Sequence, residues 1–151
     1  LRTGVYTPRP SVATIANAMD VGDPSNFARI LDLYGKNGDQ HAEISQLISA
    51  CRFTDEEIEA TMKQVYNETG YVLDPHGACG YQALIENKLA PEETGLLLET
   101  AHPAKFKETV DKILDTDIGI PAGLKAFMQG EKQSIGMKKD FGTFKSYLLA
   151  Q

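Results

Sequence analysis

The sequence feature that most constrains the fold is the stretch from Thr94 to Phe106. It begins with a continuous apolar run, Leu96 to Leu98, which is typical of a buried strand. Polar residues follow, and then Pro103 stands where a helix would begin, since proline is favoured at the first helical position. The stretch therefore predicts a buried strand that turns directly into a helix.

A second stretch repeats this arrangement earlier in the chain. Tyr71 to Leu73 is a shorter strand candidate, Asp74 is suited to cap a helix, and Pro75 would be its first residue. Two strands joined through a helix are parallel by default, so both polar turns would lie at one edge of a sheet. Such an edge is where open α/β sheets bind ligands, and the free N–H groups of the following helices favour an anion there.

The rest of the chain has the apolar spacing and the capping residues of helices. At 151 residues and 42% hydrophobic content, the chain can build one core. We therefore predict one unit over residues 1–151 with an α/β fold, mostly helical, with a small sheet of short parallel strands. Its parts would be a loop and short helix (1–24), helices (25–70), strand–helix–strand–helix (71–115) and a helical tail (116–151).

Composition argues against several classes of partner. The net charge of −6 disfavours nucleic acid and anionic membrane surfaces, because both reward basic patches. No apolar stretch approaches the roughly 18 residues that span a bilayer. Cys51 and Cys79 are too few for a disulfide framework and are predicted to be buried thiols. The sequence thus predicts a cytoplasmic chain with no membrane or nucleic-acid partner.

Without a family, the candidate chemistry is modest. Asp74, His76 and Cys79 resemble a metal cluster, but they lie on one helical turn and lack a second Cys/His pair, so no metal site is predicted. Cys79 with His102 could form a nucleophilic pair, although a structural thiol in an apolar helix is the simpler interpretation. Asn17 would share one polar helical face with Thr14 and Asp20, which a solvated surface also explains.

Three segments of the chain contain distinctive sequence motifs. They are Asn17-Ala18-Met19-Asp20-Val21 with Pro24-Ser25-Asn26-Phe27, Asp74-Pro75-His76-Gly77-Ala78-Cys79-Gly80-Tyr81, and Thr100-Ala101-His102-Pro103-Ala104-Lys105-Phe106. In order and spacing they resemble the C-terminal part of threonine synthase, from residue 4 to about residue 115. That family consists of pyridoxal-phosphate enzymes of the tryptophan-synthase-β-like fold (fold type II). They are carbon–oxygen lyases that convert O-phospho-L-homoserine and water to L-threonine and phosphate, the last step of threonine biosynthesis.

The resemblance implies a role for one residue in particular. Thr100 matches the family position whose hydroxyl lies against the pyridine nitrogen of the cofactor, so Thr100 is predicted to bind the cofactor. The matching segments also contain possible active-site neighbours, which are His102, Lys105, His76, Asn17 and Asp20. Of these, we expect His102 and Lys105 to lie near an anion. No catalytic residue is predicted within this chain.

The family's segment with the Schiff-base lysine and its loop for the cofactor phosphate have no match in this sequence. The chain is therefore expected to be a C-terminal fragment of a large catalytic domain, inactive and without pyridoxal phosphate when alone. Its partner would be the rest of its parent chain, and its cut sheet edge would favour self-association. The alternatives are a non-catalytic helical binding or assembly module, or part of another fold type II enzyme such as a dehydratase.

Overall fold

The computed structural model describes residues 3–17, 21–35 and 41–150, and the regular structure in these ranges is helical. None of these helices is long and apolar enough to cross a membrane. A 3-10 helix, Pro103–Phe106, leads directly into the α-helix that begins at Lys107. The α-helices are α1 (Phe27–Tyr34), α2 (His41–Leu47), α3 (Asp55–Thr69), α4 (Pro75–Glu86), α5 (Lys107–Leu114), α6 (Ala122–Met128) and α7 (Phe141–Leu149).

The predicted small parallel sheet is wrong. Neither Tyr71–Leu73 nor Leu96–Leu98 forms a strand, and the described ranges contain no strand elsewhere. Burial still alternates along the second segment, because Leu96 and Leu98 are 85% and 80% exposed while Leu97 is partly buried. A strand needs a hydrogen-bonded neighbour, and an apolar run predicts the side-chain pattern without supplying that neighbour.

Local capping chemistry explains where the two central helices begin. Thr54 accepts a hydrogen bond from the Glu57 N–H at 3.3 Å, and the Glu57 carboxylate accepts one from the Thr54 N–H at 2.7 Å. This capping box starts α3, and Gly70 ends it in a left-handed conformation with φ of 73°. Asp74 caps α4 as predicted, with Pro75 at the first helical position.

The core forms where α3 packs against α4 and α5. Met62 in α3 is 1% exposed and belongs to this core. Cys51 is exposed, so the prediction that it is buried is wrong. Helix α2 ends at Leu47, before Cys51, so this thiol is not on a packed helical face. The buried apolar residues are Ile58, Met62, Val65, Leu73, Ala78, Val110 and Ile113.

The N-terminal segment is irregular. Residues 11–17 form no helix, contrary to the predicted short helix, and the rest of that helix, residues 18–20, lies outside the described ranges. Tyr6 stacks on Phe27 with ring centroids 4.0 Å apart and donates a hydrogen bond to Asp23 at 2.9 Å. These contacts attach the N-terminal loop to the start of α1.

The chain divides into two compact units between Gly119 and Ile120. The first contains α1 to α5 and all of the buried core residues. The second contains α6, which follows Pro121, and α7, which Asp140 caps by accepting a hydrogen bond from the Thr143 N–H at 2.7 Å. In residues 120–150 no side chain reaches full burial.

Candidate functional site

The structure brings the two predicted polar turns together, although not at a sheet edge. The first turn is the start of α4 at Asp74, and the second is the segment from Glu99 to the 3-10 helix. The Glu99 side chain lies against Gly77 and interacts with Asp74. The His76 ring also contacts the Phe106 ring, with centroids 5.1 Å apart. Packing of α5 on the core thus places both turns at one end of α4.

Asp74 anchors this site, because its side chain is fully buried. Its Oδ1 accepts a hydrogen bond from the His76 backbone N–H at 2.7 Å and lies 3.0 Å from His76 Nδ1. Since a carboxylate oxygen can only accept, His76 Nδ1 carries the hydrogen in this contact. The neutral His76 ring is therefore left with Nε2 as its acceptor.

Glu99 is a functional candidate that the sequence interpretation did not single out. Both of its carboxyl oxygens are buried, and no hydrogen-bond donor reaches them from the described residues. Burial raises the pKa of Glu99 from 4.5 to about 7, and the neighbouring Asp74 carboxyl group and its negative charge add to this effect. The available signal in the sequence was a carboxylate placed at the end of an apolar run, immediately before Thr100.

Thr100, His102 and Lys105 follow Glu99 and are all exposed. His102 caps the 3-10 helix, where its Nδ1 accepts a hydrogen bond from the Ala104 N–H at 3.0 Å. A neutral His102 therefore carries its proton on Nε2, where it can donate to a ligand. Lys105 Nζ lies 5.5 Å from the centroid of the Phe106 ring, within the range of a cation–π contact.

One of the predicted neighbours, Asn17, is not part of this cluster. Asn17 is exposed in the N-terminal segment, and no hydrogen bond, ion pair or ring contact of the described residues joins it to the turns around Asp74 and Thr100. Asp20 lies outside the described residues. Through the Phe106 ring, the structure brings His76 to the segment that carries Thr100, His102 and Lys105. Asn17 is left apart.

Cys79 lies one turn along α4 from Pro75 and is partly buried. Burial raises the pKa of its thiol, and the charge of Asp74 adds to this effect. A thiol that is harder to ionise is a weak nucleophile, which fits a structural role. Within residues 3–17, 21–35 and 41–150, no group of three His, Cys, Asp or Glu residues is arranged to hold a metal ion.

The sequence and the fold of this chain match one class of enzyme segment. Residues 77–148 match the family model described as the C-terminal part of threonine synthase. Threonine synthase from Haemophilus influenzae is 40% identical over 149 residues, which cover 99% of this chain and 34% of that protein.

Two solved structures extend the match to three dimensions. The threonine synthase from Escherichia coli has a TM-score of 0.70 and 34% identity, over 99% of this chain and 33% of that one. The PLP-bound threonine synthase from Brucella melitensis has a TM-score of 0.75 and 27% identity, over 97% of this chain and 36% of that one. The chain belongs to the threonine synthase family, and it spans about a third of the length of these relatives.

Proposed function

We propose that this chain is the C-terminal part of a cytoplasmic enzyme that converts O-phospho-L-homoserine and water to L-threonine and phosphate. The observation that carries the proposal is the match to threonine synthases along 99% of the chain, in sequence and in structure. The complete enzyme would use pyridoxal phosphate, the cofactor bound to the Brucella melitensis relative. The rest of the parent chain is then the partner of this segment.

The residues present fit the pyridine end of that cofactor. Thr100 offers an exposed neutral hydroxyl directly after the buried Glu99. We assign Thr100 to the pyridine nitrogen, because a hydroxyl can donate a hydrogen bond to an unprotonated ring nitrogen. The cofactor supplies the electron sink for bond breaking, and Thr100 would tune it by leaving the nitrogen uncharged.

His102 and Lys105 fit a neighbouring anion, and we assign them to the phosphate of the substrate. His102 offers its Nε2–H because Nδ1 is already occupied by the Ala104 N–H. Lys105 adds a positive charge on the same short helix. Both are exposed, so a phosphate can reach them without displacing core residues.

The first test is phosphate release from O-phospho-L-homoserine with added pyridoxal phosphate. We expect release by the complete chain and none by the 151-residue segment, because the segment has no match to the family's cofactor-binding lysine. Release by the segment above the background of free cofactor would contradict this assignment and make Lys105 the first candidate for covalent attachment. Release of ammonia from threonine by the complete chain, without phosphate release, would instead identify a dehydratase.

The second test concerns Thr100. Thr100→Val in the complete chain removes the hydroxyl and keeps the branched shape, so we expect weaker cofactor binding, by roughly tenfold for one lost hydrogen bond of about 1.4 kcal/mol. Titration of the cofactor absorption measures this affinity. Thr94→Val is the matched control, because Thr94 is also exposed and lies before the leucine run. Equal affinity for Thr100→Val and wild type would rule out the assignment.

A further inference from the structure

Hydrogen-bond donors are distributed unevenly among the oxygens of the buried carboxyl groups. Asp74 Oδ1 has two donors, both from His76, whereas the buried Asp74 Oδ2 has none among the described residues. The two buried oxygens of Glu99 also have no donor within the described chain. Buried polar atoms without a partner cost free energy, and a proton held between the two groups would satisfy Asp74 Oδ2 and one Glu99 oxygen.

Two adjacent carboxyl groups in a buried site cannot both be charged without strong repulsion. Asp74 is the better anion, because the His76 N–H groups already donate to it. Glu99 is the better acid, because it has no donor of its own and no other described residue donates to Asp74 Oδ2.

We propose that Glu99 holds a proton that it donates to Asp74, and that this hydrogen bond positions Thr100 for the cofactor. The positioning role rests on the proposed function, because it assigns the cofactor to Thr100. Glu99 and Thr100 are adjacent in the chain, so fixing the Glu99 side chain onto the start of α4 restricts the backbone that carries the Thr100 hydroxyl. Glu99 is thus a positioning residue and does not itself touch the cofactor.

The space for this bond exists because residue 77 is glycine. A Cβ atom at Gly77 would collide with the Glu99 carboxyl group, with its Cδ only 2.6 Å away. The first turn of α4 therefore admits the Glu99 side chain beside Asp74 only in the absence of a side chain at position 77. The approach of Glu99 to Gly77, the burial of both carboxyl groups and the missing donors are three separate observations at the start of α4.

The other ionisable groups around the pair come from three elements. On α4 these are His76, which donates to Asp74, and Cys79, whose thiol is affected by the charge of Asp74. At the start of α3, Asp55 acts on Cys79. The 3-10 helix contributes Lys105, whose Nζ lies over the Phe106 ring that contacts His76.

The proton can be observed directly by carbon-13 NMR of the complete protein labelled at the glutamate side-chain carboxyl. We expect one resonance, absent from Glu99→Gln, to keep the shift of a protonated acid until about pH 7, in line with the raised pKa of Glu99. Glu92→Gln is the matched control, since Glu92 is exposed and its loss must leave that resonance in place. A Glu99 resonance that titrates near 4.5 overturns the proposal, whatever the protein catalyses.

A second variant keeps the test decisive if Glu99→Gln does not fold. Asp74→Asn retains an oxygen for the His76 N–H, while its amide donates to Glu99 and so removes the need for the shared proton. We expect Asp74→Asn to move the Glu99 titration to lower pH than in wild type. An unchanged midpoint overturns the proposed pair.

The positioning role is tested by cofactor affinity in the same protein. We expect Glu99→Ala to weaken pyridoxal-phosphate binding by roughly tenfold, and Glu99→Gln, which keeps a donor for Asp74, to restore most of the loss. Equal affinity of Glu99→Ala and wild type overturns the positioning role, even where the NMR supports the shared proton. A wild-type protein that binds no cofactor, but shows the late titration of Glu99, overturns the proposed function together with the positioning role that rests on it.

Discussion

At the scale of single residues, Glu99 links stability to pH. Its folded-state pKa of about 7 lies above the ordinary 4.5, so the folded protein retains this proton when the unfolded chain has already lost it. The contribution of Glu99 to the free energy of unfolding is therefore complete below pH 4.5 and falls as the pH rises to about 7.

Glu99→Gln removes this titration, so we expect the variant to lose less stability than wild type between pH 4.5 and 7. Thermal unfolding at a series of pH values measures the difference. Glu92→Gln, an exposed change of the same charge, is expected to follow the wild-type profile. Parallel profiles for wild type and Glu99→Gln would show that Glu99 does not titrate in this range.

Gly77 gives a second prediction at this scale. Gly77→Ala places a methyl group against the buried Glu99 carboxyl group, and we expect a loss of about 1–3 kcal/mol in stability from the overpacking. Gly123→Ala in α6 is the contrasting control, because its Cβ meets nothing within 4 Å and should stabilise by roughly 0.5–1 kcal/mol. Denaturant unfolding measures both, and equal effects would contradict the close approach of Glu99.

At the scale of elements, the stability of α3 depends on its capping box. Thr54→Ala removes the acceptor of the Glu57 N–H, and we expect a cost of about 1 kcal/mol. Thr54→Ser keeps a hydroxyl at the same position and should cost less. Both values come from urea unfolding, and an Ala variant as stable as the Ser variant would show that the cap contributes little.

The helices, and the strands that are absent from the described ranges, also show which structural features could be predicted from the sequence. The Thr54 and Asp74 caps and the Gly70 stop were predictable, because each depends on a few neighbouring residues. The strands were not, since Leu96 to Leu98 has the composition of a strand but no paired neighbour in the described chain. His76, His102 and Thr100 were predicted from short sequence motifs, whereas Glu99 became a candidate through its approach to Gly77 and its interaction with Asp74, which only the fold supplies.

At the scale of the whole molecule, exposed leucines are the notable liability. Leu96 and Leu98 present large apolar side chains to solvent, and we propose that the isolated segment self-associates through them. Sedimentation of the 151-residue chain should show concentration-dependent association, and the double variant Leu96→Lys, Leu98→Lys should reduce it. The matched control is the double variant Phe127→Lys, Met128→Lys, because Phe127 and Met128 are a similar pair of exposed apolar residues in α6. Equal effects of the two double variants would assign the association to general hydrophobicity.

The division between Gly119 and Ile120 has a consequence for how such a chain can be altered. Every buried core residue, and both members of the carboxyl pair, precede the boundary. Truncation or replacement of residues after Gly119 therefore removes none of the buried core residues. The boundary is therefore a junction at which tails from related sequences can be grafted without changing a single core residue.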